Sequence, residues 1–146
     1  MTRREANGAL LSAAAALLAL PLAGSTLTAQ ARQHTPVRSL MREPLAPIPD
    51  AEASVIILTL APGEHGHPHE HTGPVFAYIL KGAIENQVEP GAPKTYRAGD
   101  YFYEPPRHVH KMMRNLSPTA TAEILVFEVG EKGKPFTIPA PSSALD

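Results

Sequence analysis

Four histidines occupy alternate positions in Glu64-His65-Gly66-His67-Pro68-His69-Glu70-His71, and a second pair, His108 and His110, follows some forty residues later. Of the seven histidines in the chain only His34 stands apart from these clusters. In extended backbone, residues two apart share a face with Cα atoms about 6–7 Å apart, so neighbouring imidazoles can converge on one point. Neutral imidazole is the commonest metal-donating side chain. Two histidines from one strand and a third from a distant strand make a three-nitrogen site for a divalent ion. The sequence holds no cysteine, which excludes thiolate ligands, thiolate nucleophiles and disulfides alike.

The segments that must carry these histidines read as short strands. Ser54 to Ala61 is β-branched and stops at Pro62-Gly63, Val75 to Lys81 ends at Gly82, and Ala83 to Val88 follows as a hairpin partner. Lys94 to Arg97, Tyr101 to Glu104, Val109 to Arg114 and Ala122 to Val129 complete the set, each bounded by glycine, proline or asparagine. No segment sustains a helical period. Many short strands separated by Gly/Pro turns predict an all-β sandwich or barrel. Residues 32–53 are punctuated by Pro36, Pro44, Pro47 and Pro49 and read as an extended arm with one strand around Val37 to Arg42. Residues 54–130 read as the barrel core, and the Pro-containing tail from 131 to 146 as a loosely packed end.

Two blocks in this pattern resemble the cupin superfamily. The first is Gly63, five residues, His69, one residue, His71, and then the strand to Gly82. The second is Gly99, five residues, Pro105, and later His110 and Asn115. The resemblance covers roughly residues 37–130 and implies a small jelly-roll barrel, with His69, His71 and His110 as ligands of one divalent metal at its mouth. The chain departs from the family at Val75, where the first motif normally carries a glutamate seven residues before its closing glycine. It departs again at Arg107, where the second motif often has glycine, and the spacing from His110 to Asn115 is one residue longer than usual.

Glu104 is the candidate replacement for the missing carboxylate. Alternation along Asp100-Tyr101-Phe102-Tyr103-Glu104 puts Phe102 and Glu104 on one face. The family's residue before this proline usually points inward, where a carboxylate needs a cationic partner. The alternative is that Pro105-Pro106 turns Glu104 out to solvent. His65, His67 and His108 read as loop residues at the mouth, because Gly66, Pro68 and the Pro-Pro turn interrupt the strands; the alternatives are a direct ligand, proton-carrying or metal-loading role for His65 and His67, and a place behind the ligands for His108. Val75, Ala77 and Ile79 share an inward apolar face, with Tyr78 opposite.

Composition sets the remaining bounds. Arg3-Arg4, the apolar run Ala9 to Leu22 and the small-residue site Ala29-Gln30-Ala31 read as an export signal at residues 1–31, with the arginine pair suggesting the twin-arginine type. Cleavage there would leave 115 residues, enough for one domain with a modest core, and a periplasmic or secreted location without stable membrane insertion. That mature chain would carry 11 basic and 13 acidic residues once Arg3, Arg4 and Glu5 are removed. No basic patch points to nucleic acid, and tryptophan is absent. The expected partner is a small-molecule substrate or ligand. The expected activity is that of a metalloenzyme of oxygenase or isomerase type, with a non-catalytic binding or sensing cupin as the alternative. Nitrogen and oxygen ligands admit iron, manganese, nickel, copper or zinc. The resemblance further implies a homodimer paired through a sheet edge, with the arm able to lie across a neighbouring subunit.

Overall fold

The structure, a computed structural model, describes residues 35–144; the expected export signal lies outside the described residues. Ten strands follow in order: β1 (Val37–Pro44), β2 (Ala51–Leu60), β3 (His69–His71), β4 (Val75–Lys81), β5 (Ala83–Val88), β6 (Lys94–Arg97), β7 (Tyr101–Glu104), β8 (Val109–Asn115), β9 (Ala122–Glu131) and β10 (Thr137–Pro139). They form two five-stranded antiparallel sheets, β1-β2-β9-β4-β7 and β10-β3-β8-β5-β6, packed as a jelly-roll.

Alternation builds the core. Along β4, Val75, Ala77 and Ile79 are buried while Phe76 and Tyr78 face outward. Along β9, Ala122, Ile124, Val126 and Glu128 are the buried set. Strand pairing aligns these inward residues into rows across the first sheet. One row is Ile79, Ile124, Leu58 and Val37, and the next is Phe102, Ala77, Val126, Ile56 and Ser39. The third row changes character: Glu104, Val75, Glu128, Ser54 and Arg42. The interior therefore runs from a closed apolar end, where Leu60, Ile79, Ile84 and Ile124 are fully buried, to a polar end facing the histidine strands.

Two glycines are required by geometry. Gly82 takes φ +82° in the one-residue link that carries the chain from β4 in one sheet to β5 in the other. At Gly73, in the turn between β3 and β4, a Cβ would lie 1.8 Å from the Val129 carbonyl oxygen, so the turn can approach β9 only without a side chain.

Both ends of the described segment are more structured than their prolines suggested. The arm's strand extends to Pro44 and pairs with β2 of the same chain, and β2 itself begins at Ala51. The tail does not trail: β10 pairs with β3, placing Thr137 opposite His71, and Phe136 is buried against Gly130 and beneath the Arg42 guanidinium.

Candidate metal centre

Strand β3 lies between β10 and β8, and this position assembles the site. His69 pairs directly with His110 of β8, while His71 pairs with Thr137 of β10. The incoming loop is tied down by backbone bonds from Gly63 N–H to the Ser117 carbonyl (2.9 Å) and from Gly66 N–H to the Met113 carbonyl (2.8 Å). On the far side Arg107 N–H donates to the His71 carbonyl at 2.9 Å. Arg107 stands where the family often has glycine, and it adopts φ 62°. The turn geometry is kept despite the cost of a left-handed conformation to a residue that carries a Cβ. Asn115 is a structural clamp: its buried amide donates to the carbonyls of Leu60, Ala61 and Ala120 and its oxygen accepts from Ser117 N–H.

His69, His71 and His110 each present one ligand atom, all within 4.8 Å of one another, a grouping that could hold one divalent ion. His69 Nε2 and His71 Nε2 are 3.1 Å apart. The other ring nitrogens are engaged outward. His69 Nδ1 is 2.8 Å from the His67 carbonyl, and His110 Nε2 contacts Asn86 Oδ1. Both oxygens can only accept, so these nitrogens carry the protons and leave His69 Nε2 and His110 Nδ1 as lone pairs facing the centre. His71 Nδ1 lies 3.3 Å from Thr137 Oγ1 and 3.6 Å from Glu128 Oε1.

Glu104 points inward, not to solvent. It is 4% exposed, and its Oε2 lies 3.3 Å from both His71 Nε2 and His110 Nδ1. Neither approach has hydrogen-bond angles: Glu104 Oε2 and His110 Nδ1 are both buried without a hydrogen-bond partner. A convergence of imidazole lone pairs on a carboxylate oxygen, with buried polar atoms unsatisfied, is complementary to a cation and costly without one. The residues present therefore fit a divalent ion.

The electrostatics agree. Burial pushes His110 down to about 4, outweighing the pull of the Glu104 carboxylate. Burial likewise lowers His69, so both rings stay neutral, as a metal ligand must. For Glu104 burial acts upward, but contact with His71 and the electrostatic pull of the three surrounding imidazoles outweigh it and hold the carboxyl below its ordinary value. Glu128 moves the other way: burial raises it, opposed in part by His71.

Val75 sits between these two carboxylates, directly paired with Glu104 on one side and Glu128 on the other. The position where the family keeps its carboxylate is thus apolar and buried, with glutamates on both neighbouring strands at the same level. Glu128, Asn86 and Thr137 are absent from the sequence-based set of candidates. Glu128 could have been found by carrying the Ile124, Val126 parity one step further, since a charged residue in an inward register signals a site. Asn86 and Thr137 are recognisable only once β5 and β10 are placed. His65, His67 and His108 are exposed, and none belongs to the three-histidine cluster; His67 contributes only its carbonyl.

The centre opens into a cavity of about 450 Å³ lined on one side by Ile56, Leu58, Val75, Ala77 and Val126. Histidines and carboxylates at one end of an apolar cavity form the usual arrangement of a small-molecule site.

The two-sheet jelly-roll is a small β-barrel with three converging histidines at its open end, a group that could hold a metal. Residues 56–128 match the Cupin domain family, and the chain belongs to it. Among curated proteins nothing matches. Solved structures share the fold at low identity. A conserved protein with a double-stranded β-helix domain from Klebsiella pneumoniae is 16% identical, covering 76% of this chain and 88% of that one, with a TM-score of 0.58. The DMSP lyase DddQ from Ruegeria pomeroyi is 20% identical at a TM-score of 0.59; the match covers 84% of this chain but 59% of the lyase. A recombinant oxalate oxidase in complex with glycolate is 20% identical at a TM-score of 0.51, covering 64% of this chain and 54% of the oxidase. These likenesses concern the fold.

Proposed function

We propose that this chain is an exported, divalent-metal-dependent enzyme acting on a small, largely uncharged organic molecule, with oxygenase-type chemistry favoured over isomerisation. His69, His71, His110 and Glu104 would hold the ion. The observation that carries this reading is the pair of buried, unsatisfied atoms, Glu104 Oε2 and His110 Nδ1, set among the imidazoles at the end of an apolar cavity. When bound, such an ion supplies a Lewis acid with open positions and, if redox-active, electron-transfer capacity.

The chain's own residues shape what reaches the ion. Val75, Ala77, Ile56 and Val126 exclude water from the approach and favour an apolar substrate body. Arg42 on the cavity wall is already paired with Glu52, which leaves little net positive charge to attract a polyanion. Lyase and oxidase relatives in the same fold support a catalytic role by analogy alone.

The test is metal analysis of the mature protein purified from its native export route, followed by thermal unfolding with and without each metal. Iron, copper or manganese with a metal-dependent rise in melting temperature is the expected result. Zinc alone would overturn the oxygenase reading, and no metal uptake would overturn the whole assignment.

A further inference from the structure

The inner nitrogen of His71 is contested. Glu104 Oε2, 3.3 Å from His71 Nε2, and the His69 Nε2 lone pair, 3.1 Å from it, both draw a ring proton to the side where a metal must bind. On the opposite side of the ring, Glu128 Oε1 at 3.6 Å and Thr137 Oγ1 at 3.3 Å flank Nδ1. His69 and His110 have no such conflict, because the His67 carbonyl and the Asn86 side-chain oxygen fix their outer nitrogens as donors. His71 is therefore the one ligand of the three whose proton position depends on a carboxylate that is not itself at the centre. Glu128 is 6% exposed and comes from β9, at the level where Val75 has vacated the family's carboxylate position.

We propose that Glu128, assisted by Thr137 of the C-terminal strand, is a positioning residue that holds the His71 ring proton on Nδ1 and so keeps Nε2 open as a metal donor. The inference rests on the metal reading of the site. Glu128 does not share the ligand role with Glu104: the two carboxylates contact opposite nitrogens of the same imidazole, so the ring stands between Glu128 and the centre. A carboxylate behind a ligating histidine fixes the ring's orientation and tautomer and raises its donor strength. It also gives the C-terminal strand a function, since Thr137 reaches His71 only through the pairing of β10 with β3.

The experiment uses zinc as the probe, with affinity measured by competition against a chromophoric chelator. Ring N–H signals are read by NMR on histidine-labelled, zinc-loaded full-length mature protein. Glu128→Gln keeps the shape and should weaken zinc binding by about 10–100-fold. The His71 ring N–H signal should move upfield, while those of His69 and His110 stay in place. Thr137→Val should weaken binding less and move the same signal, and the two changes should be non-additive, because both act on one N–H. Metal-free melting temperature should not fall in either variant. Zinc binding in the wild type that Glu128→Gln leaves unweakened overturns this inference alone. So does a loss accompanied by equal shifts of all three ring signals, which would make Glu128 a distant charge. Loss of an oxygen neighbour of zinc by X-ray absorption would make it a ligand, with the same consequence. A wild-type chain that takes up no zinc overturns the metal reading together with it.

Discussion

Replacing Glu104 by glutamine tests the displaced carboxylate most directly. The change keeps the side chain's volume and removes the one carboxylate oxygen that lies 3.3 Å from two of the imidazoles. A divalent ion and a carboxylate oxygen at a bond length of about 2.1 Å attract by about 4 kcal/mol even in water's dielectric, and by more in a buried site. Part of that gain is offset by the cost of burying the carboxylate, and glutamine retains a weak oxygen donor. A net loss of about 3–4 kcal/mol, or about 10²–10³-fold in affinity, is expected. Adding Val75→Glu to Glu104→Gln should recover part of this loss, because the two positions are direct cross-strand neighbours with Cβ atoms about 4.5–5.5 Å apart. Chelator competition gives the affinities of the wild type, both single variants and the double. The metal-free proteins serve as controls: because the imidazoles hold the Glu104 carboxyl below its ordinary value, its charge favours the folded state near neutral pH, and Glu104→Gln should lower their melting temperature modestly. Unaltered affinity in Glu104→Gln would refute the reasoning. So would a Val75→Glu increment equal in both backgrounds, since two independent sites simply add.

Other outcomes follow from the same geometry. His71→Ala and His110→Ala should each abolish most of the metal-dependent rise in melting temperature, whereas His65→Ala and His67→Ala, on exposed side chains, should leave it intact. The metal-free protein should lose stability as pH falls. With His110 near 4 in the folded state against 6.5 in the unfolded chain, the unfolded state takes up the proton first. The stability lost between those values amounts to about 3 kcal/mol, read as denaturant midpoints across the range. Asn115→Ala should cost about 2–3 kcal/mol in urea unfolding by stranding buried backbone carbonyls, with little change in metal affinity. Gly73→Ala should fail to reach a native yield, because its Cβ would lie 1.8 Å from a backbone oxygen that cannot move without β9.

Export and self-association rest on the sequence and its family resemblance. N-terminal sequencing of the natively produced chain should find a start at Arg32, and an intact Met1 in the cytoplasm would overturn export. Sedimentation of the mature protein should give a dimer.

What was legible in the sequence was whatever depends on period two. Alternation places Val75, Ala77 and Ile79 on one face, and Phe102 with Glu104 on another, without knowledge of any partner strand. That inference also predicts Glu104's inward direction, which Pro105-Pro106 does not reverse. Alternation failed where backbone leaves the strand. His65 and His67 share parity with His69, yet Gly66 and Pro68 break the extension and both side chains reach solvent. It was silent where a contact depends on which strands meet. Nothing local marks Thr137 as the neighbour of His71, because its three-residue strand is disguised by Pro135 before it and Pro139 within it. Asn86 likewise reaches His110 only across the β5–β8 pairing.

Glu128 lies between these cases, readable by parity yet placed at the end of a run whose apolar members suggest nothing but core. Its register explains the departure at Val75. The family's single carboxylate in the middle strand is here replaced by two, one on each adjacent strand at the same height. A side chain on the middle strand would have to serve the centre alone. On the proposed assignment, carboxylates on the flanking strands separate the work: Glu104 lies 3.3 Å from His71 Nε2, while Glu128 lies 3.6 Å from Nδ1 on the other side of the ring. The vacated middle becomes an apolar wall of the cavity. Restoring the family residue at Val75 should therefore narrow the range of substrates or ligands accepted, even where it strengthens metal binding. A screen of small apolar molecules by thermal shift on metal-loaded Val75→Glu and wild-type protein checks this. Equal binding of bulky apolar compounds to both would show that the vacated position has no part in selecting what enters.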